Sequence, residues 1–113
     1  MQVPREAVLL RIFIGEDDRY NGSPLYEAIV LKAREMQLAG ATVLRGPMGY
    51  GHNSHLRTTK ILHLSQDLPV VIEIVDDKDK INLLLEALND MMSSGLVTLQ
   101  NVEVVRYGQT GAS

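Results

Sequence analysis

Apolar and polar positions recur along this chain with two different periods, and those periods divide it into six segments. Ala7–Ile14 is a short run rich in β-formers and closed by Gly15, so it reads as a strand. Glu16–Gly22 is a polar loop. Ser23-Pro24 then predicts a helix start, with Ser23 as the N-cap and Pro24 at the first helical position. Leu25, Ile29, Ala33 and Met36 recur at helical spacing, and Gly40 supplies the stop. Ala41–Arg45 is a second strand. Gly46–Thr59 holds three glycines, one proline and few apolar residues, which makes it a loop. Lys60–Leu64 is a short extended piece, Asp67-Leu68-Pro69 a turn, and Val70–Val75 a strong strand. Asp76 or Asp77 caps a second helix whose apolar stripe is Ile81, Leu84, Leu85, Leu88, Met91 and Met92, and Gly95 ends it. Leu96–Tyr107 contains the last strand, with Val102, Val104 and Val105 its best residues.

The order is βαββαβ, the split-βαβ, ferredoxin-like pattern of the α+β class. Right-handed crossovers place both helices on one face of a four-stranded antiparallel sheet, with the first and third strands at its centre. An uncovered second face should show polar side chains. It does not. Leu9 and Phe13 flank Arg11 on one strand, and Val71 and Val75 flank Glu73 on the other. An exposed apolar face of several hundred Å² marks an interface, so the pattern predicts a homo-oligomer built sheet to sheet. Within it, Arg11, Phe13 and Glu73 are interface residues, and Arg11 and Glu73 read mainly as a paired charge that can fix register, with a ligand contact or a catalytic role as the alternatives.

Composition narrows the classes further. The chain has 113 residues, one domain's worth, with an ordered core over about 7–107 and a frayed tail from Gly108 to Ser113. Apolar residues make up 45% and charged ones 22%, which excludes disorder and collagen-like structure. A net charge of −3 offers no basic footprint for nucleic acid. With no cysteine there is no disulfide, thiolate metal site or cysteine nucleophile, and a reducing cytoplasm fits. No apolar run is long enough to span a membrane, and Met1–Glu6 lacks the features of a signal peptide.

The chemistry concentrates in the loop Gly46–Lys60. Tyr50, His52, Asn53, Ser54, His55, Arg57, Thr58, Thr59 and Lys60 supply donors and acceptors. Loops this long in compact domains are usually functional or disordered. Gly46, Gly49 and Gly51 permit close backbone approach, and Arg57 and Lys60 could hold an anion. A recognition loop, a small-molecule contact and a plain connector all remain open on these residues alone. His52 and His55 are weak metal candidates, because zinc needs three or four ligands and this loop has no cysteine or carboxylate to complete a set. Glu16-Asp17-Asp18-Arg19-Tyr20 follows the first strand and reads mainly as a solvated run, with Arg19 and Tyr20 as secondary candidates. No nucleophile–base constellation is present, so no catalytic residue is assigned and the chain is not read as an enzyme.

Several blocks carry a family resemblance: Leu10-Arg11-Ile12-Phe13-Ile14-Gly15-Glu16, Pro24–Val30, Ala39-Gly40-Ala41-Thr42-Val43-Leu44-Arg45-Gly46, Gly49-Tyr50-Gly51, Leu68–Asp76 and Val102–Tyr107. Together they resemble the prokaryotic family known as domain of unknown function 190, over about Leu9–Tyr107. That family is similar to PII signalling proteins, which are ferredoxin-like trimers with a long loop that reaches target enzymes and transporters. The resemblance implies a homotrimeric regulatory protein with a small-molecule effector such as a nucleotide or another anion. It further implies a loop over 47–59 that contacts a partner such as a membrane transporter or channel. By it, Arg45, Gly46, Gly49, Tyr50, Gly51, His52, Arg57, Lys60 and Arg106 are ligand-binding candidates. One departure stands out. PII proteins carry a glycine- and lysine-bearing phosphate loop after the second helix, whereas Ser93–Thr98 has one glycine and no basic residue. The charge of an anionic ligand would therefore fall to Arg45, Arg57, Lys60 and Arg106. Two alternatives stand beside the sensor: a divalent-metal-handling trimer resembling the cation-tolerance proteins, and a small-molecule enzyme using His52, His55 or Glu16 as acid–base groups.

Overall fold

A computed structural model describes residues 3–51, 57–58 and 67–108. Its elements in chain order are β1 (Glu6–Gly15), β2 (Arg19–Tyr20), β3 (Ser23–Pro24), α1 (Leu25–Glu35), β4 (Thr42–Arg45), β5 (Met48–Gly49), β6 (Arg57–Thr58), β7 (Pro69–Asp76), α2 (Lys78–Met91) and β8 (Leu96–Glu103). The four long strands form an antiparallel sheet in the order β4-β7-β1-β8. This is the expected ferredoxin-like α+β topology, with β1 and β7 central.

Alternation along the central strands decides which side chains are buried. Val8, Leu10, Ile12 and Ile14 on β1 and Val70, Ile72 and Ile74 on β7 point to the helix side and are buried. Leu25, Ile29 and Ala33 of α1 and Ile81, Leu84 and Leu88 of α2 complete that core, with Met36, Leu85, Met91 and Met92 packed at its margin. The two helical stripes read from the sequence are therefore the two faces that cover the sheet.

Several boundaries differ from expectation. Ser23 does not cap α1, because Ser23–Pro24 pairs with Arg19–Tyr20 across a tight turn. Asn21 and Gly22 both have positive φ there, the geometry of a type I′ hairpin. Pro24 is the cap residue, and the Leu25 N–H donates to the Asp18 carbonyl at 2.7 Å instead of to a side chain. Gly40 is not the stop. Gln37 takes the left-handed conformation (φ 63°), and the Leu38 N–H returns to the Ala33 carbonyl, closing a Schellman motif around Met36. The last strand ends at Glu103. The Val104 N–H still reaches the Arg5 carbonyl, but β1 offers no further partner, and Val105 stands 87% exposed. Inside the expected loop, Met48–Gly49 pairs with Arg57–Thr58 as a short ladder. The extended piece expected over Lys60–Leu64 and the frayed end over 109–113 lie outside the described residues.

Candidate functional site

The uncovered sheet face links the two ends of the molecule. Leu9, Arg11 and Phe13 of β1 sit opposite Val75, Glu73 and Val71 of β7, in that order, and all six are half-buried. The Arg11 Nε donates to Glu73 Oε2 at 2.8 Å, and its Nη1 donates to Gln100 Oε1 of β8 at 3.0 Å. One polar cluster thus spans three adjacent strands in the middle of an apolar face. The sequence located the Arg11–Glu73 pair. It missed Gln100, whose place follows only from the β1–β8 register.

At one end of the sheet the long loop leaves and returns. Arg45 closes β4 and pairs with Val70, so it lies on the helix side. The Gly46 N–H donates to the Pro69 carbonyl at 2.8 Å. A Cβ on Gly46 or Gly49 would come within 3.1 or 3.2 Å of the Pro69 ring, so the absence of a side chain lets this turn lie against the start of β7. Tyr50 projects beyond it, 71% exposed, followed by exposed Gly51. The Arg45 guanidinium forms an ion pair with the Glu16 carboxylate. Glu16, Asp17, Arg19, Pro24, Tyr26, Arg45 and Leu68 line a cleft of about 380 Å³ beneath it. Tyr20, the other secondary candidate, packs against the core.

At the opposite end and on the opposite face lies a larger cleft of about 700 Å³. The chain beyond β8 crosses there, and the Tyr107 hydroxyl donates to the Ala39 carbonyl at 2.7 Å. Arg106 lines this cleft together with Leu9, Thr42, Glu73 and Val75. Its Leu9–Val75 rung lies five residues from the Ile14–Val70 rung that holds Arg45, about 17 Å along the strands.

The candidates therefore divide. Arg45, Gly46, Gly49, Tyr50 and Gly51 gather at the loop end, while Arg106 sits in the other cleft. Arg57 is placed only through the pairing of its backbone with Gly49. His52, His55 and Lys60 lie outside the described residues. Among the described residues no three His, Asp or Glu side chains are grouped to hold a metal ion. Among the same residues, no helix is long and apolar enough to cross a membrane.

Comparison with known proteins places this geometry. A UPF0166 protein of Aquifex aeolicus is 43% identical over 97 residues, covering 86% of this chain and 91% of its own. A UPF0166 protein of Methanocaldococcus jannaschii is 33% identical over 106 residues, covering 93% and 96%. Among solved structures, CPII of Thiomonas intermedia K12 superposes with a TM-score of 0.65 at 16% identity, over 89% of this chain and 90% of that one. It is a nitrogen regulatory PII-like protein bound to ADP, AMP and bicarbonate. A second CPII structure, bound to ADP and bicarbonate, gives 0.63 at 18% identity with the same coverage. The likeness to CPII is one of fold. Residues 7–104 match the family model described as Uncharacterized ACR, and the chain belongs to that family, domain of unknown function 190, with a PII-like ferredoxin fold.

Proposed function

We propose that this protein is a PII-like regulator: a homotrimer that senses a small anionic molecule, such as a nucleotide, and signals through its 47–59 loop to a protein partner. The observation that carries the reading is the uncovered face. It is apolar along both central strands except for the Arg11–Glu73 pair, and that pair and Gln100 satisfy one another. Such a face is suited to covering by copies of itself. Arg45 and Arg106 lie on opposite faces and ends of one protomer, so a ligand held by both would sit between two protomers. The fold neighbour CPII was solved with ADP, AMP and bicarbonate, and those anions are the first effectors to try. A membrane transporter or channel in the cytoplasmic membrane is the kind of partner the loop would serve.

Ligand and loop need only modest coupling. A tenfold shift between two loop states takes about 1.4 kcal/mol of differential binding. One charge-assisted hydrogen bond made in one state alone supplies it. Native mass spectra with and without ADP, AMP and bicarbonate test the reading. A trimer gaining up to three nucleotide masses is expected, with Arg57→Ala or Lys60→Ala weakening ligand or partner binding at unchanged melting temperature. A monomer, or a trimer that takes up none of the three, overturns it.

A further inference from the structure

Glu16 touches both feet of the long loop. Its backbone N–H donates to the Leu68 carbonyl at 2.8 Å, just before the chain re-enters the sheet at Pro69. Its side chain pairs with Arg45, just before the chain leaves at Gly46. The backbone contact is part of the fold. The side-chain contact is the exchangeable one: the Arg45 side chain is 55% exposed although the Glu16 side chain is only 21% exposed, and a pair open to water at one end contributes modestly to stability. A second guanidinium, Arg19, lines the same cleft and has no ion pair among the described residues.

We propose that the cleft below the loop is an oxyanion site and that Glu16 is its built-in competitor. With the cleft empty, the Glu16 carboxylate occupies the Arg45 guanidinium and ties the outgoing foot of the loop to β1. A small oxyanion, of the carboxylate, bicarbonate or phosphate type, offers Arg45 the same two-oxygen acceptor geometry and can draw on Arg19 as well. When it binds, Glu16 loses Arg45 but keeps Leu68. The outgoing foot then loses one of its ties, while the Gly46–Pro69 hydrogen bond and the returning foot stay in place, which gives the anion a direct hold on the Arg45 side chain at the base of the loop. This deepens the proposed function and rests on its reading of Arg45 as a ligand contact.

The test is calorimetric titration of the full-length protein with bicarbonate and, separately, with inorganic phosphate at low ionic strength. Glu16→Gln is expected to bind the anion about fivefold more tightly than the unsubstituted chain, the factor set by relieving one partly exposed ion pair. Arg45→Gln is expected to lose at least tenfold, and adding Glu16→Gln to it should restore nothing. Glu86→Gln makes the same charge change at an exposed position of α2 outside the cleft and should gain less than twofold. If Glu16→Gln binds no better than the parent, or Glu86→Gln gains as much as Glu16→Gln does, the competitor is overturned while an anion sensor still stands. If no form of the protein binds either anion, the oxyanion site and this inference fall, and an ADP titration of the same samples shows whether the sensor reading falls with them.

Discussion

Asp76 is the residue on which two turns depend. It is fully buried at the end of β7, where its carboxylate accepts from the Ala39 N–H at 2.8 Å and the Asp77 N–H at 2.6 Å. Ala39 belongs to the α1–β4 turn and Asp77 is the N-cap of α2, accepting in turn from the Asp79 N–H at 2.7 Å. One side chain therefore satisfies donors from both helix–strand connections. Removing it strands those donors away from water, and hydrogen bonds to a charged acceptor are the stronger kind. Asp76→Ala should lower stability by about 2–4 kcal/mol in urea denaturation, whereas Asp77→Ala, a lost cap, should lose only about 1 kcal/mol. The two aspartates were indistinguishable as caps in the sequence. What separates them is parity: Asp76 continues the Val70, Ile72, Ile74 series onto the helix side, and a strand-end carboxylate on that side must find partners. The same kind of reasoning fails for Glu16. Nothing in a run of acidic residues says that one of them reaches a guanidinium 29 positions later, because that contact exists only once β4 has paired with β7.

At the scale of elements, the periodic signals were the legible ones. Both helical stripes and both central strands follow from spacing alone, since burial on one side enforces it. Terminations were less legible, because they depend on what the neighbouring element offers. Gly40 looks like the stop of α1, yet it has open space around it and the left-handed position belongs to Gln37. A non-glycine residue in that conformation loses about 1 kcal/mol. Gln37→Gly is thus expected to stabilise the protein by about 0.5–1 kcal/mol, and Gly40→Ala to change stability by less than about 0.5 kcal/mol. Paired chemical denaturation curves decide the matter, since a reversed ranking would put the helix stop back at Gly40. Gly95 is not the stop of α2 either, since that helix ends at Met91 with Met92 as its C-cap, but the turn that follows needs it. It has φ +121°, and a Cβ there would lie 2.8 Å from Met92 Cε and 2.9 Å from the Phe13 carbonyl, so the α2–β8 turn does require glycine. Val104 and Val105 failed as strand residues for a related reason: β propensity cannot form a ladder without a partner strand.

For the whole molecule the question is what the uncovered face is for. A sheet covered on one side by two helices leaves Leu9, Phe13, Val71 and Val75 facing outward, with Leu44 and Leu96 more exposed at the flanking strands. A purely apolar face could be covered by a copy in many rotational settings. In the proposed homotrimer the Arg11–Glu73–Gln100 cluster would restrict them, because each setting must leave those polar groups paired or wet. Its role would then lie in specifying the assembly more than in strengthening it. Removing one partner and removing both should therefore differ. Arg11→Met alone leaves the Glu73 carboxylate uncompensated and should weaken association. Arg11→Met with Glu73→Met removes both charges, leaving of the cluster only the exposed Gln100 amide, and should associate at least as strongly as the parent, but into a mixture of stoichiometries. Native mass spectrometry over a dilution series separates these outcomes. A double variant that forms the parent's single oligomer, undiminished, would show that the apolar side chains alone set the assembly and that the polar cluster is a tolerated passenger.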